Sequence, residues 1–231
     1  MSTPADPSSE TCARLLSLAV HELRTPASVV GGYLRMLQRD TDPMSDRQRK
    51  MIDEAEKSCV RLVALIAEMS EVSKLDAGVA TLTRQRLDLF PLVQDVAEGV
   101  HEAEDREVRL EVRGEAAGAE MIGDAARLRG AFDAIFRAIL REQPAACTVV
   151  VDRRLEKRGD PNSAIVVVAP DARVQSAYES PKDPFDEKRG GLGLALPIAR
   201  RIIERHGGRL WAPRAAEPDA GAAIVAFPVS A

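Results

Sequence analysis

The amino-acid sequence predicts an α-helical hairpin followed by an α+β two-layer sandwich, in which helices lie on a mostly antiparallel sheet. In the first part of the chain, apolar residues recur at alternating spacings of three and four, as they do in helices that pack along one stripe. After Gly78, short apolar runs alternate with amphipathic stretches but do not form regular βαβ units. We therefore divide the chain into a disordered tail at residues 1–10, a hairpin at residues 11–78 and a sandwich at residues 79–231.

The two helices of the predicted hairpin share one pattern. A break at Asp40–Pro43 ends the first helix, and Ser45 has the side chain of an N-cap for the second. The stripe residues are Leu16, Val20, Leu23, Ala27, Val30, Leu34 and Leu37 in the first helix and Ile52, Ala55, Cys59, Leu62, Ile66 and Met69 in the second. Two helices alone leave part of two such stripes in water, so we expect two copies of the chain to pair into a four-helix bundle. The sequence therefore predicts a homodimer.

The predicted sandwich combines short strands with three helices. The strands are expected at 82–89, 108–112, 148–151, 165–168, 209–211 and 223–227, and the helices at 90–103, 125–142 and 193–206. Residues 159–162 have the composition of a turn between two neighbouring strands. Residues 170–189 are polar and contain prolines, so we expect a mobile loop there.

Composition excludes several classes of function. The chain has 231 residues, of which 45% are hydrophobic, 29% charged and only 3% aromatic. The net charge is −4, so neither phosphate neutralisation nor base stacking favours nucleic acid as a partner. Three scattered cysteines, Cys12, Cys59 and Cys147, suit neither a disulfide framework nor a zinc site and indicate a reducing, cytoplasmic location. No stretch approaches the roughly 20 apolar residues of a membrane helix, so we expect no membrane insertion.

Reactive side chains are concentrated in the first helix, in the string HELRTP that runs from His21 to Pro26. His21 neighbours the stripe but is not part of it, so its imidazole is expected to face solvent. Glu22 can accept the proton of one ring nitrogen and make the other more nucleophilic. Thr25 lies one turn further on, where its hydroxyl could hold a water molecule near a group on His21. The alternatives are weaker: a lone helical histidine is usually a solvated surface residue, and a zinc-protease motif fails because position 25 is not histidine.

This string resembles the phosphoacceptor box of sensor histidine kinases. Three further segments resemble the same family: Ser70–Gly78 the end of its dimerisation hairpin, Gly191–Leu196 its glycine-rich lid motif, and Glu204–Trp211 the helix end and strand that follow. The resemblance extends from about Thr11 to the end of the chain. It implies a dimeric helical hairpin and an ATP-binding fold of the histidine kinase type, which gyrase and the mismatch-repair ATPases share.

The resemblance also assigns roles. It implies that His21 carries a phosphoryl group, that Glu22 acts as its base, and that Thr25 positions water for dephosphorylation of a partner's aspartyl phosphate. The residues that it places against nucleotide phosphates are Gly191, Gly193 and Leu194. It implies ATP and Mg²⁺ as cofactors and the receiver domain of a response regulator as partner.

Several departures from the family pattern affect the nucleotide site. Ala138 stands where the family has the asparagine that binds Mg²⁺, and Ala169 where it has the aspartate that accepts a hydrogen bond from adenine. Asp171, Arg173 and Arg189 stand at glycine positions. A methyl group cannot bind Mg²⁺, which requires oxygen ligands. We therefore assign no metal-binding residue and expect ATP and Mg²⁺ to bind weakly or not at all.

Some alternatives around these losses stay open. Asp171 could serve adenine in a shifted turn, and Asp133 or Glu142 could supply an oxygen ligand from the helix that contains Ala138. If the two alanines are the main defect, Ala138→Asn combined with Ala169→Asp is expected to restore part of the affinity for Mg-ATP.

Two functions are consistent with the sequence. The first is a phosphotransfer protein that exchanges phosphate between His21 and a response regulator aspartate with little or no use of ATP. The second is an active sensor histidine kinase that autophosphorylates His21. Because so little chain precedes His21, we expect sensing to come from elsewhere, and a separate sensor kinase is a further candidate partner.

Overall fold

The computed structural model describes residues 7–39, 44–156, 162–214 and 221–229. It divides the chain into two units, Met1–Ala80 and Thr81–Ala231. The boundary between them lies two residues beyond the predicted end of the hairpin at residue 78. The first helix begins at Pro7, so residues 7–10 of the predicted tail are helical. Residues 1–6, the predicted break at 40–43 and most of the predicted turn at 159–162 lie outside the described residues.

The first unit is a hairpin of two long helices, α1 (Pro7–Arg39) and α2 (Asp46–Asp76). Ser45 caps α2 as predicted: its hydroxyl oxygen accepts a hydrogen bond from the Gln48 backbone N–H at 3.3 Å, and the Gln48 side chain accepts one from the Ser45 N–H at 2.9 Å. This reciprocal pair satisfies two backbone donors that the helix cannot satisfy itself. Within the described part of the chain, none of the helices combines the length and apolar character that crossing a membrane requires.

The two helices approach closely along the middle of the stripe. Val20, Ala27 and Ile66 form a buried cluster, with Met69 packed against it. The Cys59 thiol donates to the Ala27 carbonyl at 3.4 Å. A Cβ added at Gly31 would lie 3.2 Å from Cys59 Sγ, so a glycine at position 31 permits this spacing.

Part of the predicted stripe stays exposed within one chain. Leu23, Val30, Leu37 and Leu62 are between 45% and 52% exposed, although they follow the same heptad pattern as the buried residues. The buried stripe residues face the other helix of the same chain, whereas these four lie on one flank of the hairpin. Apolar residues that recur in register on one flank are typical of an interface with further helices.

The second unit contains both strands and helices. Its elements are β1 (Gln85–Asp88), α3 (Leu89–Glu98), β2 (Val108–Gly114), β3 (Glu120–Gly123), α4 (Ala125–Arg141), β4 (Cys147–Glu156), β5 (Asn162–Pro170), α5 (Val174–Glu179), β6 (Lys182–Pro184), α6 (Ala195–Arg205), β7 (Arg209–Pro213) and β8 (Ala223–Val229). β1 and β3 form a small antiparallel pair. The other six strands form one sheet in the order β2-β4-β5-β8-β7-β6, in which β2 and β4 are parallel and the remaining pairs antiparallel. The predicted fold class is therefore confirmed.

Helices cover the sheet unequally on its two faces. On one face Phe132 of α4 packs against Phe136 and against Phe227 of β8, with ring centroids 5.8 and 6.4 Å apart. On the other face the short helix α5 contributes Ala177 to an apolar cluster that includes Val167 and Ile224. α3, α4 and α6 pack together on the first face, so α4 is the central helix of the layer.

The structure differs from the predicted elements after β5. The loop expected at 170–189 contains α5 and β6, because Ala177 buries itself against β5 and β6 pairs with β7. The prediction of one long mobile loop was wrong. β3 was also missed, since its four residues are too few to show a periodicity.

The two edge strands of the sheet are short or charged. β2 presents Arg109, Glu111 and Arg113 in alternation along its length. β6 has three residues and ends with Pro184.

His206 connects the end of α6 to the start of α4. Its Nε2 accepts a hydrogen bond from the Asp124 backbone N–H at 2.9 Å, and its Nδ1 donates to the Ile202 carbonyl at 2.7 Å. The imidazole must be neutral to accept and donate in this way. Burial lowers the pKa of His206 below its ordinary value of 6.5, and the hydrogen bond to Ile202 opposes this only in part.

We expect a charge on the exposed flank of the hairpin to prevent dimer formation. Leu23→Glu or Leu62→Glu should turn a dimer into a monomer at micromolar concentration, because a carboxylate buried between helices has no partner there. Light scattering measures the mass. Lys57→Glu is the matched control, since Lys57 is exposed and makes an ion pair only one turn away with Glu54. A wild-type monomer would contradict the prediction, as would dimers of both leucine variants.

We expect the stability of the protein to decrease as the pH falls from about 7 to about 5. The unfolded chain binds a proton at His206 near pH 6.5, whereas the folded chain resists it, so stability present above 6.5 is lost below it. His206→Gln keeps one donor and one acceptor but does not titrate. Urea unfolding of this variant should therefore depend less on pH than that of the wild type or of His101→Gln, an exposed control. Equal pH dependence of all three proteins would refute the assignment.

Candidate functional site

His21 lies on the exposed side of α1. Its side chain is 77% exposed, whereas Val20 and Ala27 are 4% and 2% exposed. Successive residues of an α-helix point about 100° apart. Burial of Val20 against α2 therefore turns the neighbouring imidazole towards solvent, where a second protein can reach it.

Glu22 is in direct contact with this imidazole. His21 Nδ1 and Glu22 Oε1 are 3.2 Å apart, and both side chains are exposed. When Nδ1 carries the proton, it donates to the carboxylate and leaves the lone pair on Nε2. The adjacent negative charge makes Nε2 a better nucleophile and stabilises the positive charge that the ring acquires when Nε2 forms a bond.

Thr25 and Pro26 follow one turn later on the same helix. Thr25 is exposed and lies four residues after His21, so both side chains share a face of α1. The helix continues through Pro26 to Arg39. Because proline has no N–H, the usual helical hydrogen bond to the Glu22 carbonyl is missing, and that carbonyl is left to other donors beside the site.

A groove between α1 and α2 lies on the His21 side of the hairpin. It has a volume of about 210 Å³ and is lined by Ala27, Ser28, Gly31, Arg35, Glu56, Cys59, Val60 and Val63. Ser28 lies two turns after His21 on the same face of α1. Sequence reasoning did not identify this groove. Its one local signal is Gly31, but nothing in the sequence pairs Gly31 with Cys59.

The three residues predicted to approach nucleotide phosphates lie together before α6. Gly191 and Gly193 both have left-handed backbone conformations, with φ of +61° and +64°, which glycine adopts without strain. Leu194 is the N-cap position of α6 and makes no side-chain capping hydrogen bond. Helix ends of this kind attract anions.

Ala138 and Gly190 are packed against each other. Ala138 has no exposed surface, and a Cβ added at Gly190 would lie 2.8 Å from Ala138 Cα. The backbone of Gly190 therefore takes the space beside the position at which the family resemblance puts a metal ligand. Among the residues that the structure describes, no group of three or more His, Cys, Asp or Glu side chains could hold a metal ion. Ala138 itself offers no oxygen ligand to a Mg²⁺ ion.

The alternative oxygen ligands on α4 are engaged by arginines. Asp133 accepts a hydrogen bond from Arg137 at 2.8 Å, and Glu142 makes an ion pair of 3.1 Å with Arg189. Burial raises the pKa of the Glu142 carboxyl above its ordinary value of 4.5, and the charge of Arg189 opposes that rise. Each carboxylate is therefore already paired with an arginine through one of its oxygens.

Asp171 is also paired with an arginine. It begins a 3₁₀ turn after β5 and makes an ion pair with Arg113 of β2. Arg113 in turn makes a second ion pair with Glu111, at 2.8 Å. These contacts do not favour the shifted turn in which Asp171 would face adenine.

The structure does not bring Ala138 and Ala169 together. Phe227 of β8 faces α4 and pairs with Ala164 of β5, so the even-numbered residues of β5 face α4. Ala169 instead belongs to the cluster on the other face, around Ala177 of α5, and has no exposed surface. The alignment that places Ala169 at an adenine position is therefore not supported by the strand alternation.

Comparison with known proteins gives a family model for the first unit and relatives for most of the chain. Residues 13–78 match the family model of the His Kinase A (phospho-acceptor) domain. The sensor protein GacS of Pseudomonas syringae pv. syringae is 26% identical over 204 residues, which cover 82% of this chain but 22% of GacS. The chain spans about a quarter of the length of the first curated relatives that it matches.

Solved structures show the same fold. Full-length ShkA, in complex with AMPPNP, has a TM-score of 0.69 and 21% identity, covering 94% of this chain and 46% of ShkA. The histidine kinase ThkA, in complex with the response regulator protein TrrA, has a TM-score of 0.57 and 18% identity, covering 94% of this chain and 61% of that one.

We expect substitutions at the two buried alanines to destabilise the protein and not to restore nucleotide binding. Ala138→Asn inserts a larger polar side chain against Gly190, and Ala169→Asp places a carboxylate in an apolar cluster. Each should cost at least about 1 to 3 kcal/mol of unfolding free energy. This replaces the expectation from sequence that the pair would repair the site. Urea unfolding and calorimetric titration with Mg-ATP measure both effects, and a stable double variant that binds Mg-ATP would contradict the prediction.

Proposed function

Because the chain belongs to the sensor histidine kinase family, we propose that it is a two-component phosphotransfer protein that exchanges a phosphoryl group between His21 and a response regulator aspartate. The observation that carries this proposal is the exposed His21 imidazole with Glu22 at its Nδ1. Nε2 would attack the phosphorus of an aspartyl phosphate, the P–O bond to the aspartate would break, and the carboxylate would leave. The reverse transfer uses the same groups.

We propose the groove on the His21 side of the hairpin as the contact surface for the receiver domain. Its wall carries Arg35 and Glu56, which can orient a partner by charge, around an apolar floor near Cys59 and Val63. The complex of ThkA with TrrA supports a response regulator as partner for a protein with this fold. Thr25, one turn after His21, would hold the water that removes phosphate from the receiver aspartate.

We further propose that the protein uses ATP weakly or not at all. ShkA was solved with AMPPNP, which supports nucleotide binding by this fold in general. In this chain Ala138 offers no oxygen ligand, Gly190 lies against it, and the carboxylates of Asp133 and Glu142 are paired with arginines. These contacts favour phosphate exchange with receiver domains over transfer from ATP.

The second candidate is an active kinase that autophosphorylates His21. It is favoured by the left-handed Gly191 and Gly193 before the N-terminus of α6. It requires Mg-ATP to bind, which the contacts around Ala138 disfavour.

We place the exchange in the cytoplasm and assign the protein three partners. The exposed flank with Leu23 and Leu62 supports a homodimer, and the scattered cysteines suit a reducing compartment. A response regulator receives or donates the phosphate, and a separate sensor kinase would supply it upstream if ATP is not the donor.

We expect His21→Gln to abolish phosphate acceptance without changing the fold. A receiver domain is phosphorylated with radiolabelled acetyl phosphate, repurified and mixed with each protein, and acid-labile label on the protein is measured. The wild type and the exposed control His101→Gln should become labelled, and His21→Gln should not. The unfolding free energy of His21→Gln should stay within about 0.5 kcal/mol of the wild type, since the side chain is exposed.

The same labelling separates the two candidate functions. Acid-labile label on wild-type protein incubated with radiolabelled Mg-ATP, and its absence from His21→Gln, would favour the kinase. Transfer of label from the receiver domain to His21→Gln would refute the role of His21 in both candidate functions.

A further inference from the structure

The segment Phe185–Gly191, which we call the lid, is attached to the rest of its unit through Arg189. The Arg189 guanidinium makes the 3.1 Å ion pair with Glu142 at the end of α4 and donates to the Ala222 carbonyl, just before β8, at 3.3 Å. Its Cζ also lies 5.4 Å from the ring centroid of Phe185. The Arg189 side chain is 17% exposed, and it connects the lid, the central helix and the residue that precedes β8.

Further contacts hold the lid beside this ion pair. Arg141 of α4 donates to the Gly190 carbonyl at 3.2 Å, and the Gly190 backbone lies directly on Ala138. On the opposite side, Glu187 accepts a hydrogen bond from Arg200 of α6 at 2.7 Å. The lid is therefore anchored to both helices that border it.

The surroundings of the Glu142 carboxylate leave Arg189 as its stabilising cation. Its Oε2 is buried and, among the described residues, has no hydrogen-bond partner, while Gly221 lies against it with no room for a side chain. A half-buried carboxylate without its cation is unfavourable, because the lost hydration is not replaced. Glu142 therefore depends on the charge of Arg189, and the lid gains stability by supplying it.

We infer that Arg189 is a built-in latch that holds the lid closed on α4 without any bound ligand. The guanidinium supplies, from within the chain, the positive charge beside α4 that would otherwise have to come from outside. This inference rests on the proposed function in one respect: it treats Phe185–Gly191 as the counterpart of the segment that closes over a nucleotide in histidine kinases. The latch itself follows from the contacts and does not require His21 to exchange phosphate.

Tryptic cleavage after Lys188 reports opening of the lid. The Lys188 side chain is exposed, but a protease needs several residues of extended backbone, which the lid offers only when it opens. The full-length protein is incubated with trypsin under native conditions, and the rate of cleavage at Lys188 is followed by mass spectrometry. Arg189→Ala and Glu142→Gln should each be cleaved there at least about tenfold faster than the wild type.

Controls separate release of the latch from general unfolding. Arg129→Ala removes an arginine of α4 whose ion pair with Asp95 of α3 lies outside the lid, and it should leave cleavage at Lys188 unchanged. The double variant Arg189→Ala/Glu142→Gln should be cleaved no faster than the faster single variant, because both changes break one interaction. Circular dichroism shows whether each variant is folded. If Arg189→Ala does not fold, the cleavage rate of Glu142→Gln tests the latch.

Three results would overturn the latch: cleavage of the wild type as fast as of Arg189→Ala, an unchanged rate in both single variants, or additive effects in the double variant. Addition of Mg-ATP tests the proposed function separately. It should not slow cleavage of the wild type. If it does, the proposal of weak nucleotide use fails while the latch stands, and a failure of the His21 labelling experiment leaves all the cleavage results unaffected.

Discussion

The burial of one apolar stripe between α1 and α2 determines how the reactive end of the hairpin is presented. Val20 and Ala27 pack on Ile66, and Gly31 lets Cys59 come close enough to donate to the Ala27 carbonyl. Rotation of α1 about its axis would expose this cluster, so the helix has one stable orientation. His21 owes its accessibility to that orientation, and the groove that follows it along α1 arises from the same close spacing of the helices.

In the second unit, the helix on which the other elements depend is α4. This helix contributes aromatic packing to the sheet through Phe132, is capped by Asp124, and ends at the carboxylate of Glu142. Its surface next to the lid has methyl groups and arginine-paired carboxylates instead of free oxygen atoms. The protein thus has the fold of solved histidine kinase structures, while the polar groups on this helix are used for internal ion pairs.

The sequence was informative where a pattern repeats and silent where a contact joins distant residues. The heptad stripe predicted both hairpin helices, and the Ser45 cap and the mixed strand and helix pattern predicted the fold class. The short elements α5, β6 and β3 could not be predicted, because three to six residues carry no periodicity and their formation depends on partners such as Ala177 and β7. The string around His21 indicated the site directly. The pairs Arg189–Glu142 and Gly31–Cys59 could not be inferred, since each joins residues far apart in the chain. The alternation that turns Ala169 away from α4 also required the strand register.

The character of the two edge strands has a consequence for self-association. An exposed strand edge offers unpaired backbone groups to any other strand, and such edges are common sites of aggregation. Here β2 ends the sheet with alternating Arg109, Glu111 and Arg113, and β6 ends it with three residues and Pro184. Charges and proline both discourage the addition of a further strand. A newly made chain is thereby protected against joining other chains through the edges of this sheet.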